Sequence, residues 1–178
     1  GRHAGWITAY AGIAAGAESI LVPERPAHLE TVCDGLAALR SAGSRAAIVA
    51  IAEGTRIFEG GACLSSMERD EFGEFLVGGA AELLADRIQR RLRWDSRAVV
   101  LGHLQRAGKP TAFDRLFALR LGARAARLVI EGRFGRMAAM RAGDISDVPL
   151  ADAVRRRKVL EDRFLDRYGS FFLPMDGS

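Results

Sequence analysis

The chain has 178 residues, of which 49% are hydrophobic, and this is enough for a domain with a sizeable core. No apolar run approaches the roughly 20 residues of a membrane-spanning helix, and no charged-then-apolar leader opens the sequence. The net charge of +4 comes from arginines that alternate with acidic residues along the predicted helices, without a basic and aromatic stripe. We therefore expect a cytoplasmic protein that binds neither a membrane nor nucleic acid.

The cysteines, Cys33 and Cys63, are far apart in the sequence and belong to no Cys-x-x-Cys pair or histidine-rich stretch. Their spacing favours neither a disulfide framework nor a zinc site. We expect each to be a small buried side chain in a reducing compartment.

The first part of the chain alternates predicted helices and strands. Residues 3–17 and 29–42 have apolar side chains at helical spacing, and Gly16 and Gly43 stand where these helices would end, so both stretches predict helices. Residues 19–23 predict a short strand that ends at a proline. Residues 46–52 form a continuous apolar run, which is typical of a strand buried on both faces of a parallel sheet.

The middle of the chain is less regular. Residues 54–66 are rich in Gly, Ser and Thr and predict a loop. Ser65 and Glu68 have the spacing of a capping box, so they predict the start of a long helix that ends near Leu92.

The last part of the chain again predicts alternating elements. Residues 98–101 predict a buried strand, and 111–131 predict a helix that Thr111 and Asp114 begin with a second capping box. After it we expect a strand around 137–140, a short helix near 150–157, and an amphipathic tail over 160–172 that docks on the body.

Two charged residues lie at element ends where ligands commonly bind. Glu53 follows the predicted strand 46–52 at its carboxyl end, and its carboxylate can accept hydrogen bonds from sugar hydroxyls. Arg2 precedes the first predicted helix, where backbone N–H groups favour an anion. The alternatives are a capping or surface role for Glu53 and a frayed terminal position for Arg2.

Three cations surround the predicted strand 98–101. Arg97 precedes it, whereas His103 and Arg106 lie in the polar loop that follows. A guanidinium fork matches phosphate oxygens, and imidazole adds a directional donor, so the arrangement suits a phosphate ester. The alternatives are ordinary surface cations and an ion pair between Arg97 and Asp95.

Residues 101–115, LGHLQRAGKPTAFDR, resemble the LGHxQRGGxPTAFDR signature of the 6-phosphofructokinases. The opening GRHAGW and the stretch IVAIAEG at 48–54 resemble two further motifs of that family, in the same order. Ala107 stands where the family usually has the first of two glycines. The opening motif resembles the pyrophosphate-using and mixed branch more than the allosteric ATP enzymes.

The resemblance implies transfer of a phosphoryl group from ATP or pyrophosphate to the 1-hydroxyl of fructose 6-phosphate, with Mg²⁺ bridging the donor phosphates. It implies that Glu53, Arg97, His103 and Arg106 hold the sugar phosphate. It also implies that Arg2 assists the transfer and that the backbone around Gly1 contacts the sugar phosphate. Arg97 would serve a neighbouring subunit of a homo-oligomer, either a dimer or a tetramer.

The resemblance also implies an α/β fold of three-layer, parallel-sheet lobes, of which this chain would supply the C-terminal half of a subunit. Residues 1–106 would form most of the fructose 6-phosphate lobe, 107–148 the returning elements of the phosphoryl-donor lobe, and 149–178 a C-terminal helical tail. The family's donor loops and its aspartate base would lie upstream of Gly1, and with them most Mg²⁺ contacts. We therefore expect the chain alone to be inactive; the alternative is a non-catalytic sugar-phosphate-binding or regulatory subunit.

Glu24 follows a proline, and in allosteric bacterial members of the family the glutamate of this Pro-Glu pair borders an effector site. The alternative for Glu24 is a solvated turn residue. The lysine-rich run that those members carry before the next strand is reduced to Gly-Ser-Arg at 43–45, so regulation by a nucleotide is an open question from the sequence.

Overall fold

A computed structural model describes residues 1–64, 68–69, 75–76 and 79–172 of the chain. The chain divides into two compact units. Unit 1 comprises Gly1–Val100 and Val159–Ser178, and unit 2 comprises Leu101–Lys158. In chain order, the elements are α1 (Trp6–Ala15), β1 (Ser19–Leu21), β2 (Ala27–His28), α2 (Leu29–Ser41), β3 (Val49–Ile51), β4 (Ile57–Glu59), β5 (Ala62–Cys63), β6 (Glu68–Arg69), β7 (Phe75–Leu76), α3 (Ala80–Leu92), α4 (Ala112–Ile130), β8 (Arg136–Arg141), β9 (Asp144–Pro149), α5 (Leu150–Arg155) and α6 (Asp162–Arg167). No helix in the described part of the chain is long and apolar enough to span a membrane.

Unit 1 contains two parallel strand pairs with helices between the paired strands, which confirms the α/β prediction. β1 pairs with β3 in parallel, with Ile20 opposite Ala50, and β2 pairs in parallel with β4. Helix α1 ends at Gly16 in the left-handed conformation (φ 65°), as its sequence predicted. Helix α2 ends at Ser41, close to the predicted end at residue 42.

The strand predicted over residues 46–52 is shorter and more exposed than expected. β3 covers only Val49–Ile51, all three residues are half-buried, and Ile48 is 54% exposed. The prediction of burial on both faces is wrong, because all three residues of β3 keep part of their surface exposed; among the described strands, β3 pairs only with β1.

Two hydrophobic clusters form the core of unit 1. In the first, α2 packs against α3, and the buried residues include Leu29, Val32, Cys33, Ile57 and Leu84. In the second, the C-terminal segment packs on α1 and β1, and the buried residues are Ala9, Ala17, Ile20, Val22, Leu160, Leu165 and Phe172. The predicted docking of the tail is therefore confirmed.

The two cysteines differ in their surroundings. Cys33 is 1% exposed, as predicted, and burial raises the pKa of its thiol. Cys63 is exposed, so its predicted burial is wrong: it lies on β5, a two-residue strand at one side of its three-stranded sheet. Neither forms a disulfide.

The predicted loop over residues 54–66 contains an antiparallel hairpin of β4 and β5. Gly60 and Gly61 connect the strands with φ of 56° and 84°, values typical of the two-residue turn that matches strand twist. The Gly-Gly pair between short apolar stretches was the signal for this hairpin, so the loop prediction is wrong here.

The predicted long helix is also wrong over its first part. Helix α3 begins at Ala80, after Gly79 in the left-handed conformation (φ 83°), and Glu68 belongs to strand β6. Ser65 lies outside the described residues. A left-handed residue cannot continue a right-handed helix, and this accounts for the late start of α3.

In unit 2, helix α4 starts as predicted. The Thr111 hydroxyl accepts from the Asp114 N–H at 3.2 Å, and the Asp114 carboxylate accepts from the Thr111 N–H at 2.9 Å, which completes the capping box. The predicted strand near 137–140 is β8, which pairs antiparallel with β9, a strand that the sequence analysis missed. The short helix after it is α5.

The β8–β9 hairpin is held to α4 by the carboxylate of Asp147, whose side chain is 7% exposed. Arg124 of α4 and Arg136 of β8 donate hydrogen bonds to it, and Arg133 donates at 2.9 Å. Hydrogen bonds from Arg124 and Arg136 lower the pKa of Asp147 to about 2. The three guanidinium groups thus connect helix and hairpin through one ionised carboxylate.

The strand predicted at 98–101 is absent, since none of these residues has strand structure. Val99 and Val100 are 77% and 65% exposed. An apolar run becomes a strand only where a neighbouring strand supplies hydrogen bonds, and none of the described strands pairs with this one.

Candidate functional site

The structure brings together Arg2 and Glu53, which are distant in sequence. Glu53 follows β3 near its carboxyl end, and Arg2 lies four residues before α1 begins. The Arg2 Nε atom is 3.8 Å from a Glu53 carboxylate oxygen, and both side chains are about half exposed (48% and 44%). The pair therefore presents a cation and a hydrogen-bond acceptor to solvent at the strand end where α/β proteins bind ligands.

Gly54 fixes the backbone next to this pair. Its N–H donates to the Gly1 carbonyl at 3.2 Å, and a Cβ atom at residue 54 would lie 1.8 Å from the Arg2 carbonyl oxygen. Gly54 has no left-handed backbone, so the requirement for glycine comes from the close approach of the two segments. The sequence analysis missed this residue, although the glycine directly after Glu53 was the available signal.

Glu24 holds the other end of the segment that carries Arg2, residues 1–5. Its two carboxylate oxygens accept from the Gly5 N–H at 3.0 and 3.1 Å, and one of them accepts from the Leu160 N–H at 2.9 Å. The carboxylate thus accepts hydrogen bonds from two backbone amides, whereas the carboxylate of a solvated turn residue would accept them from water. That alternative for Glu24 is wrong.

Arg97 lies in unit 1 and pairs with Asp95. Its Nη2 atom is 3.4 Å from the Asp95 carboxylate, and the Arg97 side chain is 84% exposed. Surface pairs of this kind contribute little to stability, so Asp95 holds the guanidinium only weakly. Arg97 also lines a cavity of about 250 Å³ beside β3 and α3.

His103 and Arg106 lie in unit 2, on a 3-10 turn over Gly102–Arg106, and both are exposed. The turn is followed by the loop before α4, so the predicted order of loop and helix is confirmed. Ala107 has an extended backbone (φ −79°, ψ 163°) that any residue adopts, whereas Gly108 has φ 97°. The alanine that replaces a glycine of the signature therefore introduces no backbone strain, and the second glycine is the one that the conformation requires.

Within residues 1–64 and 79–172, the structure shows no group of three or more His, Cys, Asp or Glu side chains that could hold a metal ion. The described side chains therefore do not fit a magnesium site of their own.

The sequence pattern of the phosphofructokinase family matches residues 1–129. This chain belongs to the phosphofructokinase family. It is 41% identical over 172 residues to a pyrophosphate–fructose 6-phosphate 1-phosphotransferase of Streptomyces coelicolor and 42% identical over 172 residues to an ATP-dependent 6-phosphofructokinase of Mycobacterium bovis. Each alignment covers 97% of this chain and 50% of the relative. The chain thus spans about half the length of the curated relatives it matches.

Solved phosphofructokinases share the fold. The pyrophosphate-dependent enzyme of Marinobacter aquaeolei matches 99% of this chain with a TM-score of 0.72 and 23% identity, over 43% of its own chain. The phosphofructokinase of Pichia pastoris matches 86% of this chain with a TM-score of 0.61 and 30% identity, over 15% of its own chain. The predicted family and its α/β fold are confirmed.

Proposed function

We propose that the complete protein containing this chain transfers a phosphoryl group from ATP or pyrophosphate to the 1-hydroxyl of fructose 6-phosphate. The observation that carries the proposal is the match of nearly the whole chain to relatives with these two activities. Relatives named for either donor are 41% and 42% identical, so identity does not choose between the donors. These enzyme relatives favour catalysis over a purely regulatory subunit.

The proposal assigns fructose 6-phosphate to Glu53, Arg97, His103 and Arg106. The carboxylate of Glu53 accepts hydrogen bonds from sugar hydroxyls, and the three cations donate to the 6-phosphate. The backbone around Gly1 contacts the sugar phosphate. All four side chains are exposed in their own units, as ligand contacts require.

Arg2 stabilises the negative charge that develops on the transferred phosphoryl group. Its contact with Glu53 supports this assignment, because one carboxylate then orients the guanidinium and also lies where it can bind the sugar. The two ligands of the transfer reaction would thus meet at one end of β3.

Mg²⁺ supplies charge neutralisation on the donor phosphates when it is bound. We assign it to the donor and to residues outside this chain, as the family resemblance implies. The residues of this chain bind and orient the sugar phosphate and hold a cation beside the transferred group.

We further propose that the protein is a homo-oligomer in which Arg97 binds the sugar phosphate of a neighbouring subunit. Mixing inactive Arg97→Ala subunits with inactive Arg106→Ala subunits tests this assignment. We expect hybrids to recover part of the activity, whereas a mixture that stays inactive despite subunit exchange would refute it.

The experiment for the proposed function is the Arg106→Ala substitution in the complete protein, with either donor. Losing a charge-assisted contact to phosphate costs about 1.5–3 kcal/mol, so the KM for fructose 6-phosphate should rise at least roughly tenfold. The KM for the donor should stay unchanged.

Arg120→Ala is the matched control, because Arg120 is an exposed arginine of α4 outside the signature. It should leave both constants unchanged. An altered KM for the donor with an unchanged KM for the sugar in Arg106→Ala would refute the assignment, and binding of the sugar without transfer from either donor would favour a regulatory subunit.

A further inference from the structure

One glutamate connects three separate parts of unit 1. Glu24 follows β1, Gly5 precedes α1, and Leu160 begins the C-terminal segment. The carboxylate accepts from the Gly5 and Leu160 N–H groups at 2.9 to 3.1 Å. We propose that Glu24 is a positioning residue that holds the Arg2 segment, residues 1–5, and joins it to the C-terminal segment.

The Arg2 segment is attached to Glu24 at Gly5. Gly5 is three residues after Arg2, and its backbone N–H is the group that Glu24 holds. A Cβ atom at residue 5 would lie 2.4 Å from Val22 and 3.1 Å from a Glu24 oxygen. The segment thus approaches Glu24 closely because residue 5 has no side chain.

The Arg2 segment is also fixed at its opposite end, at Gly1. Gly54 donates to the Gly1 carbonyl and contacts the Arg2 backbone. The segment is therefore fixed at both ends, at Gly1 by a backbone contact and at Gly5 by a carboxylate. Since Arg2 lies between them, losing either attachment frees its backbone and lowers the precision with which its guanidinium is held.

Glu24 also connects the Arg2 segment to the C-terminal segment through Leu160. Leu160 is 3% exposed, and its side chain packs in the cluster that contains Leu165 and Phe172. The N–H that donates to Glu24 therefore belongs to a buried, well-packed residue. Docking of this segment and placement of Arg2 depend on the same carboxylate.

Hydrogen exchange of the complete protein tests the contact without any reference to activity. In Glu24→Ala, peptides that contain the Gly5 and Leu160 amides should exchange roughly tenfold to a hundredfold faster, as expected for loss of a hydrogen bond to a charged group. Glu24→Gln keeps one acceptor oxygen and should give an intermediate rate. Unchanged exchange at both amides in Glu24→Ala would overturn the proposal.

Glu18→Ala is the matched control. The Glu18 carboxylate also accepts from a backbone amide, that of Ile48 at 2.6 Å, but it contacts neither end of the Arg2 segment. The substitution should accelerate exchange at Ile48, leave Gly5 and Leu160 unchanged, and leave kcat unchanged. Equal acceleration at Gly5 in this variant would overturn the proposal, because the effect would then be a general loosening of unit 1.

The kinetic part of the test rests on the proposed function. Glu24→Ala should lower kcat roughly tenfold, with a smaller change in the KM for fructose 6-phosphate, and Glu24→Gln should restore part of kcat. If Glu24 acts through Arg2, the double variant with Arg2→Ala should be no slower than Arg2→Ala alone. Additive losses in the double variant, or accelerated exchange with an unchanged kcat, would overturn the positioning role.

The two proposals fail in different ways. A normal kcat in Arg2→Ala would refute the role of Arg2 in phosphoryl transfer, which belongs to the proposed function. Accelerated exchange at Gly5 and Leu160 in Glu24→Ala would still support Glu24 as the group that holds both segments.

Discussion

Replacing Leu165 by alanine measures how much the C-terminal segment contributes to unit 1. Leu165 is fully buried (0% exposed) in the cluster with α1 and β1. The substitution removes three carbon atoms, worth about 2.4 kcal/mol at ~0.8 kcal/mol each, and the remaining cavity adds to this. Because α6 has only six residues and can shift to reduce the cavity, we expect a loss of about 3 kcal/mol in the free energy of unfolding.

Urea unfolding followed by tryptophan fluorescence is the assay, since the Trp6 ring lies 5.5 Å from that of Phe164 in the same cluster. With an m value of about 2 kcal/mol/M, the midpoint should fall by about 1.5 M. The control is Leu119→Ala, a leucine of α4 that is 70% exposed, which should change the midpoint by less than about 0.3 M. A midpoint in Leu165→Ala as little changed as in the control would refute the argument that this segment belongs to the core.

Three further predictions concern unit 2. Thr111→Ala should lower the stability of α4 by about 1 kcal/mol in urea unfolding followed by circular dichroism, because it removes the capping box; an unchanged transition would contradict the cap. The lowered pKa of Asp147, about 2, means that its contribution to stability is complete above pH ~4 and lost as the pH falls toward 2. The melting temperature of Asp147→Asn should therefore depend less on pH in the acid range than that of the unsubstituted protein. The same pH profile in both proteins would contradict this expectation. Gly108→Ala should destabilise by about 1 kcal/mol or more because of its positive φ, whereas Ala107→Gly should be nearly neutral, and equal effects would contradict this difference.

Sequence patterns predicted the elements whose signals are local. Helices α1, α2 and α4 follow apolar spacing with a cap or a terminal glycine, and these signals act within a few residues. The capping box at Thr111 was predicted to the residue. In contrast, a capping-box spacing at Ser65 and Glu68 misled the prediction, because spacing alone does not show whether a helix follows.

Strands were predicted less well because they depend on distant partners. The apolar runs at 46–52 and 98–101 look alike in sequence, yet only the first contains a strand, since β1 pairs with it. The β4–β5 and β8–β9 hairpins, in contrast, carried local glycine signals, at Gly60 and Gly143, that were not used. Pairing across the sheet is a property of the fold that a single run of residues does not contain.

For the candidate site, the residues could be predicted from the sequence, but their contacts with one another could be identified only in the structure. Arg2 and Glu53 were each predicted from their position at an element end, but their contact at 3.8 Å required the fold. The contact of Gly54 with the Arg2 segment was not predicted, and Glu24 was predicted only as an effector contact or a turn residue, because each acts through backbone groups of a distant segment. The Arg97 contact with Asp95 was one of the alternatives, since the two residues are close in sequence.

Unit 1 is discontinuous in sequence, and this has a consequence for its synthesis. Its second hydrophobic cluster needs Leu160, Leu165 and Phe172, which leave the ribosome only after all of residues 101–158. Until then, the apolar faces of α1 and β1 lack these three side chains, whereas every member of the first cluster is already present. We therefore expect the cluster around α2 and α3 to be complete earlier in translation than the cluster around α1, whose apolar side chains wait for the C-terminal segment.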